Sequence, residues 1–380
     1  MGDVPLFREI QRVLLSSTGP INWELARQVG IALASWGTED PPGTEQDQRE
    51  VRDTVRMAEL AVADFTSLPL PADMAEVKGL RRAEWVEANV RGLQAFLDPV
   101  AHKLSEAMKG AQGNAFPMPP EMQGSNELLE MVMDKMVPLL LGVQVGSVLG
   151  YLGQRVLGQY DLAVPRPSGS LYFVIPNIAR FERDWSMDRR EFRAWVALHE
   201  VTHRFEFARP WIREHFVNLV TDLIEHAEID LSALERRLEG VDLSNPEALA
   251  DASEVVGNLF GEATDPEQRL RIARVQAFMA SVEGYGDHVM EALGRKMLKS
   301  FPQIEEAVRR YREGGGADRA LEQLLGLEMK MEQYRLGKAF CTTVAEATDE
   351  ATLARMWGSA ESLPSMPELE EPTLWLARMV

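Results

Sequence analysis

The chain has 380 residues, 45% of them hydrophobic, which is enough to bury a sizeable core as one large domain or two ordinary ones. Its 40 basic and 59 acidic residues give a formal charge of −19, so we expect no nucleic-acid partner, because phosphate binding needs an excess of Lys and Arg. Cys341 is the one cysteine, which excludes an intrachain disulfide and a cysteine-based zinc site. With no export signal pattern at the N-terminus, these features indicate a cytoplasmic protein.

Apolar residues recur at helical spacing along much of the chain, most regularly in Gln46–Thr66, Gly79–Met108 and Glu127–Tyr160. Glycine and proline interrupt this pattern at Gly37–Gly43, Gly110–Gly124 and Gly240–Pro266. We therefore predict a helix-dominated α+β fold. The second break suggests an N-terminal helical region in residues 1–125 and a second region in residues 126–380, although the two could form one continuous domain.

An uncharged stretch from Met136 to Gly153 is long enough to be compared with a membrane span. Three glycines in it, Gly142, Gly146 and Gly150, have the four-residue spacing of closely packed helices. Polar and helix-breaking residues inside the stretch favour a core helix. We predict a buried helix with its glycines against a neighbour, and no membrane partner.

The strongest strand signal is Ser168–Pro176, where five consecutive residues, Leu171 to Ile175, are mostly β-formers. It comes shortly before a helix that carries two histidines. An edge strand in this position could bind an extended peptide by adding it to the sheet. We therefore predict a small sheet beside the histidine helix.

The sequence WVALHEVTHRFEF, residues 195 to 207, contains two histidines four residues apart with a glutamate after the first. Asp188 and Glu191 indicate the start of this helix and Pro210 its end. His199 and His203 then lie on one face, where both imidazoles can bind one zinc ion at about 2.0–2.1 Å. Glu200 is rotated toward a water on that metal. The alternative is an accidental pair of exposed histidines.

A catalytic zinc usually takes a third protein ligand. Glu206 and Arg209 stand where the metzincin pattern needs glycine and histidine, which excludes that class. The alternatives that lack a supporting pattern are His215, Glu225, His226 and Glu228.

Glu283 is the better candidate, because Asp287 follows one helical turn later and could accept a hydrogen bond from a ligating histidine. His288 is rotated by ~140° from Glu283 and should point elsewhere. Gly284 and Gly286 suggest the close approach of another backbone. In the competing interpretation Glu283 lies on a solvated face and His288 is a core residue.

Four segments together resemble the bacterial zincin-like metallopeptidases that are labelled as associated with biosynthesis of a deazaflavin coenzyme. They are HEVTH with Pro210–Arg213, MASVEGYGDHVM (279–290), LEMKMEQYRLGKAF (327–340) and LPSMPELEEPTLWLAR (363–378). The resemblance covers residues 130 to 380 approximately. It implies a zincin-like core with a small sheet beside the HExxH helix, a metallohydrolase region in residues 126–380, and zinc hydrolysis.

HEVTH with a downstream Glu-x-x-x-Asp is also similar to the thermolysin-like gluzincins. This likeness implies that Glu283 is the third zinc ligand and that Asp287 supports a histidine. The distance along the chain from His203 to Glu283 is much longer than in thermolysin.

Motifs of serine hydrolases, phosphate loops and dinucleotide sites are missing from the sequence. We therefore predict a zinc-dependent hydrolase, a metallopeptidase with a peptide or protein substrate. Zn²⁺ on His199, His203 and Glu283 would activate water, and Glu200 would act as the general base. Tyr285 and Tyr334 are candidates for stabilising an oxyanion. The alternative is a non-catalytic helical interaction protein with a structural or vestigial zinc site, in which Glu200 would have no role. The sequence specifies no oligomeric state.

Overall fold

A computed structural model describes residues 19–74, 76–110, 126–160, 170–226, 265–313 and 331–379. The helices, in chain order, are α1 (Trp23–Ala34), α2 (Glu45–Thr66), α3 (Arg82–Gly110), α4 (Asn126–Gly153), α5 (Ile175–Asp184), α6 (Arg189–Phe207), α7 (Pro210–Glu225), α8 (Pro266–Met297), α9 (Phe301–Glu313), α10 (Met331–Ala347), α11 (Glu350–Leu353), α12 (Met366–Glu370) and α13 (Pro372–Met379). Short 3₁₀ turns follow α11 at Ala354–Trp357 and Ala360–Ser362. The strands are β1 (Val77–Leu80), β2 (Gly158–Tyr160) and β3 (Leu171–Val174). The predicted helix-dominated α+β fold is confirmed.

The three strands form one sheet in the order β1-β3-β2. β1 pairs parallel with β3, from Val77 opposite Leu171 to Leu80 opposite Val174. β2 pairs antiparallel with the other side of β3. The predicted strand in Ser168–Pro176 is confirmed at Leu171–Val174, but among the described residues it has a neighbour on each side and is not the edge strand considered for peptide binding. Leu171–Val174 form this middle strand. All four residues are buried, which is typical of a strand covered on both faces.

Two of the predicted helical stretches end or begin in the sheet. The stretch from Gly79 starts as β1, and its helix begins at Arg82. The stretch to Tyr160 leaves the helix at Gly153 and continues as β2. In both cases residues that satisfy the helical period also satisfy a short strand, and pairing with β3 decides between them. Most of the breaks at Gly110–Gly124 and Gly240–Pro266 lies outside the described residues.

The uncharged stretch in α4 packs its glycines against α1, as predicted. A Cβ added at Gly142 or Gly146 would lie 2.6 Å from the backbone oxygen of Asn22 or Ala26, respectively. At Gly150 it would lie 2.5 Å from Cβ of Leu33. Glycine is therefore what permits this close approach. In the part of the chain that the structure describes, no helix has the length and apolar character needed to cross a membrane.

Two large hydrophobic clusters fill most of the interior of the described chain, and a third, small one lies around Leu223 and Val275. Of the two large clusters, the smaller one lies among α1, α3 and α4. The larger one joins α2 to the central strand and to α6, α8 and α10. Both α2 and β1 precede residue 126, so elements from either side of the predicted boundary share the larger core. The division into residues 1–125 and 126–380 stays a prediction.

Candidate metal centre

The histidine helix α6 begins as its sequence predicts. The side chain of Asp188 accepts hydrogen bonds from the backbone nitrogens of Arg190 and Glu191, at 3.0 and 2.9 Å. The Glu191 carboxylate accepts from the backbone nitrogen of Ser300 at 2.7 Å, so Glu191 also ties α6 to the start of α9. Pro210 opens the next helix. The helix is buried on several sides, again as predicted.

Charged side chains hold this buried helix to α2. Arg193 is 3% exposed and its guanidinium lies 2.9 Å from Asp47 and 2.8 Å from Glu50. It also contacts Glu182 in α5 at 2.9 Å. One buried cation is thus compensated by several carboxylates, as burial of a charge requires. These contacts fix α6 against α2 on the N-terminal side of the histidines.

The structure brings His199, His203 and Glu283 together. One donor atom from each lies within 4.8 Å of the other two. The Nε2 atoms of the two histidines are 3.2 Å apart, with their rings nearly perpendicular. Helix α8 carries Glu283 and passes close to α6, since a Cβ added at Gly286 would lie 3.3 Å from Cε1 of His203. Two imidazoles and one carboxylate are a donor set that suits zinc.

Glu206 orients one of these histidines. Its Oε2 lies 2.8 Å from Nδ1 of His203, and both side chains are fully buried. Because Glu206 occupies Nδ1, Nε2 of His203 is directed to His199 and Glu283. A carboxylate on the far nitrogen of a metal-binding imidazole fixes the tautomer and the ring orientation. In the sequence alone Glu206 stands out only, with Arg209, as a departure from the metzincin pattern. The signal that would have found it is the spacing of three residues after His203.

The electrostatics of the cluster favour a positive charge between its members. Burial lowers the pKa of His203, but Glu206, Glu283 and Glu200 outweigh burial and raise it to about 9. Burial raises the pKa of the Glu206 carboxyl group, and this effect outweighs the nearby His203, which lowers it. The surrounding carboxylates thus stabilise a cation at the histidine pair, whether a proton or a metal ion.

Glu200 lies beside the cluster and is 6% exposed. Its carboxylate packs against Gly158 in β2, where an added Cβ would be 2.6 Å from Cγ and Oε1 of Glu200. Helix α6 thus carries two of the clustered side chains and, next to them, a buried carboxylate in contact with the sheet. This is the arrangement in which a carboxylate can move protons next to a metal.

Other candidate residues lie elsewhere. His288 is directed away from the cluster, as predicted, and its Nε2 lies 2.9 Å from Glu350. His226 pairs with Asp222, and His215 packs against Trp211 and Phe278. The role of Asp287, which is half-buried on the same helix as Glu283, stays a prediction.

Tyr285 faces the opposite side of α8 from Glu283. Its ring packs edge-on against Trp357, with the centroids 5.2 Å apart, and is 1% exposed. Burial and the nearby Glu206 and Cys341 raise the pKa of the Tyr285 phenol well above its usual value. This position does not favour a role as an oxyanion donor. The side chain of Tyr334 lies outside the described residues.

Gly284 confirms the predicted close approach of a second backbone. A Cβ at this position would lie 2.2 Å from the backbone carbonyl carbon of Gly337 in α10. Gly337 is equally restricted, since its Cβ would be 1.9 Å from the oxygen of Ala280. Helices α8 and α10 thus cross in direct backbone contact next to Glu283.

A helix-dominated α+β fold with a His-Glu-x-x-His helix beside a small sheet, and a glutamate from a second helix, defines a zincin-like site. The chain belongs to the zincin-like metallopeptidase family, whose sequence profile matches residues 21–376. That match covers both predicted regions, and membership implies a metal, typically zinc.

A solved structure from Chloroflexus aurantiacus, described as "a putative hydrolase with a novel fold", is similar to this chain. The two are 34% identical, with a TM-score of 0.68, over 94% of this chain and 98% of that one. No curated protein matches this chain. Family and neighbour together support a hydrolase.

Proposed function

We propose that the chain is a zinc-dependent metallopeptidase in which His199, His203 and Glu283 hold the metal and Glu200 is the general base. The observation that carries this proposal is the convergence of the three donor atoms within 4.8 Å. The likeness to thermolysin-like gluzincins supports the same assignment for Glu283. The buried contact between Glu206 and His203 supports metal binding, because it presents Nε2 to the other two donors.

Zinc bound there would supply Lewis acidity, which lowers the pKa of water toward ~7 and polarises a carbonyl. Glu200 would take a proton from the attacking water at a carboxylate oxygen and deliver it to the leaving nitrogen. Its burial keeps the carboxylate out of bulk solvent, so less solvent has to reorganise during the proton transfer.

The strand beside Glu200 favours a peptide as the class of substrate. β2 is an outer strand of the sheet as far as the described residues extend, and Gly158 in β2 contacts Glu200. An extended peptide that pairs with β2 would therefore run past the proposed base. The association with deazaflavin-coenzyme biosynthesis stays a prediction of the resemblance.

The proposal is tested by metal analysis and by hydrolysis of a mixed-sequence fluorogenic peptide library. We expect the purified chain to hold one equivalent of zinc and to cleave part of the library. His199→Ala, His203→Ala and Glu283→Ala should each lose zinc and activity. Glu200→Gln should keep zinc and lose activity, because only the proton acceptor is removed.

His288→Ala is the matched control, since it removes a histidine from α8 without touching the cluster. It should keep both zinc and activity. Full zinc in all three ligand variants would show that the site is wrongly assigned. Zinc retained without any peptide cleavage would favour the alternative, a non-catalytic interaction protein with a structural or vestigial site.

A further inference from the structure

Gly158 lies where the sheet meets the proposed general base. It opens β2 and pairs with Phe173 in the central strand. A Cβ at this position would lie 2.6 Å from Cγ and Oε1 of Glu200, and 2.8 Å from Cδ. A real Cβ essentially never lies this close to a non-bonded atom, so the carboxylate group of Glu200 occupies the space that any side chain at position 158 would need.

The backbone at Gly158 does not itself require glycine. Among the described glycines, Gly37 alone has a positive φ, so Gly158 has a conformation that other residues adopt readily. Its place in a paired strand is one where glycine is intrinsically unfavourable. The close approach of Glu200 is therefore the physical reason for a glycine here.

We infer that Gly158 is a positioning residue for Glu200. Because glycine has no side chain, the Glu200 carboxylate can lie directly against the strand, and this contact sets its place relative to His199, His203 and Glu283. The inference rests on the proposed function of Glu200. Its mechanism is steric. A methyl group at position 158 would push the carboxylate away from the strand, and a displaced base costs rate even when the metal ligands are untouched.

The atoms that a Cβ would meet make this displacement the expected outcome. At Gly284 and Gly337 the obstructing atoms are backbone, so a whole helix would have to move. At Gly158 they belong to the end of a flexible side chain, which can rotate. Gly158→Ala should therefore leave the fold and the metal site intact and move the Glu200 carboxylate.

The first measurement compares zinc content and steady-state kinetics of Gly158→Ala with those of the wild type. We expect a full equivalent of zinc, KM within about twofold, and kcat lowered on the order of 10–100-fold. Gly79→Ala is the matched control in β1 of the same sheet, where an added Cβ would lie 2.9 Å from side-chain atoms of Gln48 and Ile175. It should leave kcat unchanged.

A double variant separates positioning of the base from general damage. If Gly158 acts through Glu200, then Gly158→Ala/Glu200→Gln should have the same residual rate as Glu200→Gln, measured for both at high enzyme concentration. Additive losses, unchanged kcat in Gly158→Ala, or loss of zinc from that variant would each overturn the inference.

A crystal structure of Gly158→Ala keeps the test independent of turnover. If the wild type cleaves no peptide, the proposed function fails, but the structural result still decides whether Gly158 positions Glu200. A Glu200 carboxylate moved away from β2 supports the inference. A carboxylate in its wild-type place, with β2 shifted instead, contradicts it.

Discussion

Nδ1 of His203 and Oε2 of Glu206 are 2.8 Å apart, three residues along the same helix, and neither side chain reaches solvent. A buried carboxylate without a partner is costly, so each of these groups stabilises the other. The pair leaves Nε2 of His203 to the cluster with His199 and Glu283. Glu206 therefore orients a histidine of the proposed metal site without being one of its ligands.

We expect Glu206→Gln to weaken zinc binding by about 10–100-fold, which is the usual effect of removing a carboxylate from the far nitrogen of a ligating histidine. Glutamine preserves the size of the side chain and can still accept a hydrogen bond, but it removes the negative charge. Competition with a chromophoric chelator measures the affinity.

Glu191→Gln is the control for Glu206→Gln, because Glu191 is on the same helix and accepts from Ser300, away from the cluster. Its zinc affinity should equal that of the wild type. Equal affinities for both variants would mean that Glu206 serves folding alone.

Trp195 stacks in parallel on His199, with ring centroids 5.9 Å apart and an angle of 2° between the planes. We expect Trp195→Ala to weaken zinc binding by roughly 2–10-fold, because such a contact contributes about 0.5–1.5 kcal/mol to holding the imidazole in place. Trp195→Phe retains an aromatic face and should bind zinc like the wild type. The same chelator titration distinguishes them, and equal losses in both variants would argue against stacking as the cause.

Local spacing is the reason the candidate site could be predicted at all. His199, Glu200 and His203 lie within one and a half turns of a helix, so the helical period alone predicts their neighbourhood. For Glu283, the spacing to Asp287 and the family resemblance together predict a place in the site. Glu206 was missed because the sequence shows its position on the helix but not that the surrounding core would bury it against His203.

The two strands that flank β3 could not be predicted in the same way. β1 and β2 have four and three residues; β1 pairs with β3 across a long stretch of chain, and β2 pairs with it as the strand that directly precedes it. A sequence pattern this short is compatible with the end of a helix, and the predicted helical stretches Gly79–Met108 and Glu127–Tyr160 each include residues that belong to a strand. The contact between Gly158 and Glu200 depends on the pairing of β2 with β3, which local sequence patterns do not predict.

The crossing of α8 and α10 yields a prediction about Glu283. Gly337→Ala would place a methyl group 1.9 Å from the backbone oxygen of Ala280, so the two helices must separate. We expect the free energy of unfolding to fall by at least about 1–3 kcal/mol, the typical cost of overpacking a core. Since Gly284 at the crossing is next to Glu283, zinc affinity should fall as well.

Gly146→Ala provides the comparison for Gly337→Ala. Its methyl group would lie 2.6 Å from the backbone oxygen of Ala26, at the crossing of α4 with α1 in the other hydrophobic cluster. Stability should fall here too, but zinc affinity of the folded protein should not. Urea unfolding and zinc titration of both variants test this. A normal zinc affinity in Gly337→Ala would uncouple the crossing from the metal centre.

Asp47 makes the stability of the protein depend on pH, because its carboxylate pairs with Arg193 and so holds α2 to α6. Burial raises the pKa of its carboxyl group, but hydrogen bonds from Thr44 and the ion pair with Arg193 outweigh burial and lower it to about 2. In the unfolded chain an aspartate titrates near ~3.9. The contribution of Asp47 to stability is therefore complete above about pH 5 and is lost as the pH falls toward about 2.

We expect Asp47→Asn to lower the free energy of unfolding by about 2–3 kcal/mol at pH 7, the equivalent of this pKa difference. Urea unfolding at pH 7, 5, 4 and 3 should show the gap between variant and wild type narrowing as the pH falls, because protonation removes the same charge from the wild type. Asp53→Asn, an exposed position on the same helix, should match the wild type throughout. A gap that stays constant with pH would assign the effect of Asp47 to its hydrogen bonds with Thr44, since those would then be independent of the charge.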